Sequence, residues 1–405
     1  MKSLFLKIYY RLFKPLIKDI FYVVFLILFK VCKRKLDYSA KIKKILLIIS
    51  PQNGLGDNIM FSYYIDNLLK EKDIKLYVVT PFYELWQTFD YPNLKIIASK
   101  RNTLSLYRVL TKLKETFDLA LCPSPYVQHI FSLFFVKAKY KLCYEPIRLT
   151  KKFNSEKNLL KPLCNFEITN HEVYFDLNKE FYGLLLGKLF EYIGLNGKAK
   201  KPRLKLKAED THKFETKNIF IFPYAKSIYR RIPKEIFFEI ADKLKKCGYR
   251  IILLCDSEAK NYTYELYNEI KNIAEIRFTN SISETIFLLN NAYAVICSDT
   301  GFMHIALLSE VKKIVVFFTV VAFETRIPQF LFQEKQILPI RILNPDLKSI
   351  ISQISAGYES FFEVYPGHIT QEIIQKYQET IRNFIEVYKE DIVNQIKDFI
   401  IKEEL

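Results

Sequence analysis

Glycine and tryptophan are scarce in this chain, which has ten glycines and one tryptophan among its 405 residues. The seven cysteines form no C-x-x-C pair, and several lie inside apolar runs. An odd, unpatterned set of this kind is typical of buried, reduced thiols in a cytosolic protein and argues against a disulfide framework or a zinc site. The sequence also has no D-x-D, so we expect no required metal ion.

Hydrophobic residues are abundant, at 50% of the chain, and aromatic residues make up 15%. Such a composition supports a large core and argues against global disorder. Because 405 residues exceed the comfortable size of one core, we expect two domains.

The net charge of +17 is unevenly distributed. Residues 1–44 contain twelve Lys or Arg and two Asp or Glu, a net charge of +10, which leaves +7 for the other 361 residues. A nucleic-acid-binding protein more often spreads its basic face over the folded domain. We therefore expect no nucleic-acid partner.

Most of this excess charge lies in an apolar N-terminal arm, residues 1–40. Lys7, Arg11, Lys14 and Lys18 recur at spacings of three and four, which puts them on one helical face. The apolar run 20–29 is too short to span a bilayer, and no signal-peptide cleavage site follows it. A basic amphipathic segment predicts a helix on an anionic membrane surface. The alternative is a helix that packs on the body of the protein.

After the arm, apolar runs alternate with helical patterns in two series. We assign residues 41–200 and 215–350 to two Rossmann-like domains, with a polar, lysine-rich connector at 194–217 and a long amphipathic helix at 365–405. Alternation of this kind predicts parallel sheets covered on both faces. Strands are predicted at 43–50, 75–81, 94–99, 118–124, 140–145, 218–224, 249–256, 293–299 and 312–318. Helices are predicted at 57–70, 103–117, 127–138, 233–248, 282–292, 301–310 and 369–405.

Ligands of open parallel sheets bind beyond the carboxyl ends of the strands, and three segments lie there. The first, "NGLGDN", places Gly54, Gly56 and Asp57 after the strand 43–50. The glycines permit a tight turn, and Asp57 can take a proton from a hydroxyl in the cleft between the domains. The alternative is that Asp57 only favours a helix N-terminus.

The second segment, "PYAKSIYRRIP", holds Lys226, Arg230 and Arg231 between a strand and a helix that begins with proline. Three cations at a strand end suit a pyrophosphate. A solvated surface loop is the alternative.

The third segment is "SDTGFMH", after the strand 293–299. Gly301 lets a ligand approach the backbone, and the free N–H groups of the following helix attract phosphate. His304 lies one turn further on. Asp299 and Thr300 are also ordinary helix caps, which is the simpler reading of the segment.

In this order and spacing the segments resemble glycosyltransferase family 9, the ADP-heptose:lipopolysaccharide heptosyltransferase family, over about residues 43–345. The resemblance also includes "AKYKLCYE" and "NHEVYFDL", and its most specific motif is D-T/S-G-x-x-H. It implies the GT-B fold, in which two Rossmann-like domains face a cleft and the second domain holds most of the donor.

The same resemblance implies roles for individual residues. Asp57 would be the general base, and Arg230 takes the place of a family lysine that contacts the donor phosphates. Further contacts to the donor would come from Glu258, Asp299, Thr300, Gly301 and His304. Arg230 itself, Ile232 in place of a tryptophan and the missing glycine near Cys143 depart from the family pattern.

The reaction implied is an inverting, metal-independent sugar transfer with no cofactor beyond the nucleotide-sugar co-substrate, for which ADP-heptose is one candidate. The acceptor would be a lipid-linked glycan or a lipopolysaccharide core, reached from the cytoplasmic face of a bacterial inner membrane. Two alternatives stay open: a family member that uses another nucleotide sugar, and a catalytically silent glycan or nucleotide binder.

Overall fold

The computed structural model describes residues 34–35, 42–70, 73–124, 126–144, 159–160, 162–164, 166–167, 175–176, 179–205, 217–226, 230–319, 322–342 and 371–402. Apart from residues 34–35, the N-terminal arm lies outside these ranges, as does most of "NHEVYFDL". The chain divides into two compact units, Met1–Leu204 and Lys205–Leu405. The division falls inside the polar connector. Among the described residues, no helix is both long enough and apolar enough to cross a membrane.

The first unit is built on a six-stranded sheet with the order β4-β3-β2-β5-β6-β8. Its neighbouring strands run parallel except for β8, which is antiparallel to β6. Two short pairs lie apart from it, β1 with β9 and β7 with β10. The strands are β1 Arg34–Lys35, β2 Lys44–Ile48, β3 Lys75–Thr80, β4 Leu94–Ala98, β5 Thr116–Cys122, β6 Lys137–Tyr144, β7 Leu159–Leu160, β8 Pro162–Cys164, β9 Phe166–Glu167 and β10 Phe175–Asp176.

The helices of the first unit connect these strands. They are α1 Leu55–Ser62, α2 Asp66–Leu69, α3 Tyr83–Gln87, α4 Thr103–Thr111, α5 Val127–Ile130 and α6 Leu184–Tyr192, with a 3₁₀ helix at Phe131–Phe135. The predicted single helices over 57–70 and 127–138 are therefore each two shorter pieces. The predicted helix over 103–117 ends six residues early, because residues 116–117 already belong to β5.

The second unit has a six-stranded sheet of parallel strands in the order β13-β12-β11-β14-β15-β16. The chain runs outward from β11 in one direction and then from β14 in the other, which is the Rossmann strand order with its switch point between β11 and β14. Right-handed crossovers then put helices on both faces. The strands are β11 Asn218–Phe222, β12 Arg250–Cys255, β13 Ala274–Phe278, β14 Ala294–Ser298, β15 Lys313–Phe318 and β16 Gln336–Arg341.

The helices of the second unit are α7 Lys234–Lys246, α8 Lys260–Ile270, α9 Ile282–Asn290, α10 Gly301–Leu308, α11 Leu331–Glu334 and α12 Gln371–Ile401, with a 3₁₀ helix at Phe323–Thr325. Proline precedes α7, and Gly248 follows it at φ +84°, a left-handed conformation that favours glycine at a helix end. The predicted boundaries of this helix therefore match the structure closely.

The long helix α12 is part of the core of the second unit. Its apolar side, which includes Phe384, Val393 and Ile396, packs into the same cluster as residues of α7 and the sheet. Polar contacts fix its C-terminal end. Buried Lys313, at the start of β15, donates through Nζ to the carbonyl oxygens of Ile400 at 2.9 Å and of Lys402.

Candidate functional site

Asp57 lies in the first turn of α1, just beyond the end of β2. Its Oδ2 accepts hydrogen bonds from the backbone N–H of Gly54 at 2.8 Å and from Nδ2 of Asn53 at 3.1 Å. Its other oxygen, Oδ1, has no donor within the described part of the chain, and the side chain is half-buried. One oxygen is thus held in place by the helix start, while the other is open to a ligand.

Gly54 occupies the position just before α1 with φ −75° and ψ 177°, an extended conformation that any residue adopts. A Cβ at this position would meet only Asp57 Oδ2, at an ordinary 3.9 Å. The backbone conformation at this position therefore does not require glycine. Gly56 lies in the first turn of α1.

Two asparagines beside Asp57 were not predicted to matter. Asn53 donates to Asp57 and also to the hydroxyl of Tyr182, at 3.3 Å. Asn58 is fully buried, donates to the carbonyl oxygen of Gly54 at 2.9 Å, and accepts from Thr80 at 2.7 Å. The start of α1 is thereby tied to the end of the neighbouring strand β3, which fixes the position of Asp57.

In the second unit the start of α10 packs against the end of β11. The rings of Phe222 and Phe302 stack at 4.3 Å with 8° between their planes, and Ser298 Oγ donates to the carbonyl oxygen of Pro223 at 3.3 Å. Since β11 and β14 are the strands on either side of the switch point, the helix begins where a doubly wound sheet binds its ligand.

The N-terminus of α10 has no side-chain cap. Thr300 stands at the capping position, yet its hydroxyl makes no capping hydrogen bond, and its buried Oγ1 has no partner among the described residues. His304, 3% exposed, likewise has an Nδ1 without a partner in those ranges. Buried polar atoms are nearly always paired, so these two indicate a polar ligand at the helix start. The simpler reading, in which the segment only caps a helix, does not describe this geometry.

Arg230 lies beside this helix start. Its Nη1 is 3.9 Å from Asp299 Oδ2 and 3.5 Å from the carbonyl oxygen of Asp299. Both contacts are long, and the buried Nε of Arg230 has no partner in the described ranges. The guanidinium is therefore positioned by Asp299 with hydrogen-bonding capacity left for a ligand. Gly301 is the first residue of the helix.

Burial lowers the pKa of His304 to about 3; Asp299 acts in the opposite direction, and Arg326 and Arg230 lower the pKa further. The imidazole is consequently neutral at neutral pH. A neutral imidazole has one donor and one acceptor nitrogen, so His304 serves a ligand by hydrogen bonding and not by charge. The positive charge at this site comes from the arginines.

The remaining predicted cations and the predicted acid make no contact with the start of α10 among the described residues. The guanidinium of Arg231 stacks on the rings of Tyr262 at 4.4 Å and Tyr224 at 5.0 Å, and its Nε donates to a backbone carbonyl oxygen. Lys226 is exposed. Glu258 is exposed between β12 and α8, and within the described residues no hydrogen bond or ion pair joins it to the other predicted residues. Of the predicted residues in the described ranges, Arg230, Asp299, Thr300, Gly301 and His304 come together at the start of α10.

Metal binding has no candidate cluster in the part of the chain that the structure describes, where no group of three or more His, Cys, Asp or Glu could hold an ion. Metal independence of the reaction stays a prediction.

The fold is that of a doubly wound α/β protein, and its unpartnered helix start beside an arginine lies at the switch point, where such sheets bind their ligands. Residues 168–325 match glycosyltransferase family 9 (heptosyltransferase). This match confirms the resemblance drawn from the motifs, and it contains all the predicted donor residues; Asp57 lies outside it. No curated protein matches the chain.

Solved structures resemble the chain at low identity. The family 9 glycosyltransferase of Veillonella parvula DSM 2008 is 14% identical, with a TM-score of 0.57 over 88% of this chain and 99% of that one. The E. coli heptosyltransferase WaaC with ADP is 11% identical, with a TM-score of 0.55 over 83% and 99%. The iron-containing dodecameric glycosyltransferase TibC of enterotoxigenic E. coli H10407 is 12% identical, with a TM-score of 0.50 over 87% and 78%.

These likenesses establish the fold. The two parallel sheets match those of GT-B glycosyltransferases, as the sequence predicts.

Proposed function

We propose that the protein is an inverting glycosyltransferase that moves a sugar from a nucleotide-diphosphate sugar to a hydroxyl of a lipopolysaccharide core or another surface glycan. The observation that carries the proposal is the uncapped start of α10, where Thr300 Oγ1 and His304 Nδ1 are buried without partners beside Arg230. A diphosphate supplies the oxygens that such a site requires.

The chemistry divides between the two units. The acceptor hydroxyl attacks the anomeric carbon, the bond from that carbon to the diphosphate oxygen breaks, and the hydroxyl proton passes to Asp57. Oδ1 of Asp57 is the oxygen that takes the proton, since Oδ2 already accepts two hydrogen bonds. The charge that develops on the leaving diphosphate is stabilised by Arg230 and by the N–H groups at the start of α10.

ADP-heptose is the first donor to test, because one structure of similar fold is a heptosyltransferase with ADP. The family match supports the same choice. Arg230 in place of a lysine and Ile232 in place of a tryptophan alter the loop beside the donor, so sugars on other nucleotides belong in the same test.

One observation favours a second candidate, a catalytically silent nucleotide or glycan binder. The carboxylate of Asp57 accepts a hydrogen bond from the backbone N–H of Gly54 at the start of α1. One of its two oxygens therefore has a purely structural role. A silent binder would bind the nucleotide sugar and release no product from it.

We further propose that the basic arm, residues 1–40, holds the enzyme on the cytoplasmic face of an anionic inner membrane, near its acceptor. Deletion of residues 1–35 should move the protein from the membrane fraction to the soluble one, and high salt should partly release the intact chain. Equal partitioning of the two forms would leave the arm as a packing element.

The test begins with thermal stabilisation of the purified chain by ADP-, GDP-, UDP- and CDP-sugars, since a ligand that binds the native state raises its unfolding midpoint. The sugar that stabilises most is then incubated with the enzyme and lipopolysaccharide core, and release of the nucleoside diphosphate is followed. Stabilisation with acceptor-dependent release supports the transferase. Stabilisation without release supports the silent binder, and no stabilisation by any sugar contradicts both.

A further inference from the structure

Two residues that follow β15 are not among the predicted site residues, yet both carry buried polar atoms without partners in the described part of the chain. Thr319 is 5% exposed, and its Oγ1 has no hydrogen-bond partner among the described residues. Arg326 is half-buried, and its Nε is enclosed by protein and equally unpartnered within those ranges. An unpartnered hydroxyl and an unpartnered guanidinium N–H cost free energy unless a ligand satisfies them.

The sheet brings Thr319 to the start of α10. Strand β15 lies beside β14, with Ser298 paired to Phe317, and the N–H of Asp299 donates to the carbonyl oxygen of Phe317 at 3.1 Å. Thr319 is two residues beyond Phe317, so it leaves the sheet at the edge where α10 begins.

A 3₁₀ helix, Phe323–Thr325, brings the chain back to the carboxyl end of β15. Its ring Phe323 packs on Phe318 at the end of β15, with 6.2 Å between centroids, and the N–H of Arg326 donates to the carbonyl oxygen of Phe323 at 2.9 Å. The charge of Arg326 acts on His304, in the first turn of α10. Arg326 therefore lies by the helix start, on the opposite side from Arg230 in strand order, because Arg230 follows β11 and Arg326 follows β15.

Arg326 also has no acidic partner among the described residues. The nearby acid, Glu324, is paired with Arg341. No ion pair of Arg326 is formed within the described part of the chain. A half-buried arginine with neither an acid nor a carbonyl on its Nε is suited to an anion that arrives from outside.

We propose that Arg326 and Thr319 bind the diphosphate of the donor from the β15 side of α10, opposite Arg230. This inference rests on the proposed function, because it names a further anchor of the same nucleotide-sugar site. The diphosphate is then bound by two guanidinium groups, that of Arg230 after β11 and that of Arg326 after β15. These are the two strands on either side of β14, and the N–H groups of α10 lie between the two arginines. Such an arrangement fits a group that carries several anionic oxygens.

Calorimetric titration tests the inference with four probes, ADP, GDP, UDP and CDP, and with the corresponding nucleosides. The variants are Arg326→Gln, Arg326→Lys and Thr319→Val. Arg250→Gln is the matched control, because it removes one positive charge at the opposite, amino end of β12, where Arg250 is paired with Glu275.

For the diphosphate that binds the wild type best, Arg326→Gln should weaken affinity about 10- to 100-fold, the range for loss of a charge-assisted hydrogen bond. Arg326→Lys keeps the charge, so its affinity for the diphosphate should fall less. Thr319→Val should also weaken the affinity, by a smaller factor than Arg326→Gln. The control should stay within about twofold. Affinity for the matching nucleoside should not change, since it has no phosphate, and this separates phosphate binding from a general distortion of the site.

If the wild type binds a diphosphate and Arg326→Gln binds it equally tightly, the inference is overturned while the proposed function stands. Equal weakening of diphosphate and nucleoside would also overturn it, because the loss would then be structural. If the wild type binds none of the four diphosphates, the proposed function fails and the inference fails with it. Should Arg326→Gln not fold, Arg326→Lys and Thr319→Val give the same comparison.

Discussion

The burial of His304 leads us to expect that the second unit loses stability in acid. Burial, together with Arg326 and Arg230 and against the opposing effect of Asp299, lowers the pKa of this imidazole from 6.5 to about 3. Between these two pH values the unfolded chain binds the proton and the folded unit does not. The free energy of unfolding therefore falls as the pH falls through this window, and above pH 6.5 His304 contributes no pH dependence.

The magnitude follows from the size of the shift. Well below pH 6.5 each pH unit lowers the free energy of unfolding by about 1.4 kcal/mol, so acidification from pH 6.5 to 4.5 should lower it by roughly 2–3 kcal/mol through His304 alone. The full shift corresponds to about 5 kcal/mol, as much as the whole stability of a marginal domain. His304→Gln removes the titrating group, so the variant lacks this component at every pH.

Methionine oxidation provides a separate measurement for each unit. Met60 in the first unit and Met303 in the second are both fully buried. Wild type and His304→Gln are exposed to hydrogen peroxide over a urea series at pH 7.5, 6.5, 5.5 and 4.5. Mass spectrometry then gives the urea midpoint at which each methionine becomes oxidised.

The difference in free energy of unfolding between wild type and His304→Gln, read from Met303, should change by roughly 2–3 kcal/mol in disfavour of the wild type between pH 6.5 and 4.5. The Met60 transition should be the same in both proteins at each pH. If the difference in free energy of unfolding between wild type and His304→Gln stays constant with pH, His304 titrates near its ordinary value. The claim that burial at the start of α10 lowers its pKa would then be wrong.

Three further outcomes are expected. Asp57→Asn should reduce acceptor-dependent release of the nucleoside diphosphate about 10²–10⁴-fold with donor affinity unchanged, and near-normal release would remove Asp57 as the base. Gly54→Ala should change the free energy of unfolding by less than about 1 kcal/mol, because its backbone conformation suits alanine; a larger loss in a urea titration would refute this. Lys313→Met should cost about 2–4 kcal/mol and speed hydrogen exchange near Ile400, and unchanged exchange there would contradict the role of Lys313 as the donor at the end of α12.

Much of the fold could be predicted because central parallel strands are buried on both faces and appear as continuous apolar runs. Edge strands do not have this property. Strand β13 alternates buried and exposed residues and carries Glu275 and Arg277, and β16 contains Pro339. Both strands were absent from the prediction for that reason, and helix α8 before β13 was not predicted either.

The candidate site was predictable where position alone identifies it. Asp57 and Asp299 each follow a predicted central strand of their own sheet. Ligands of parallel sheets bind beyond the carboxyl ends of such strands. Asn58, Thr319 and Arg326 give no such signal. Their significance lies in which hydrogen bonds they make or fail to make, and neither periodicity nor spacing encodes that.

The packing of α12 has a consequence for the order in which the protein folds during translation. The first unit is complete once residue 204 has emerged from the ribosome, and it can fold while the rest is being made. The second unit cannot, because Val393, Ile396 and Ile400 complete a core whose first strand was synthesised more than 170 residues earlier. Until then the side of the core that α12 covers stays exposed, and the nascent second unit is the part of the chain that most needs protection by chaperones.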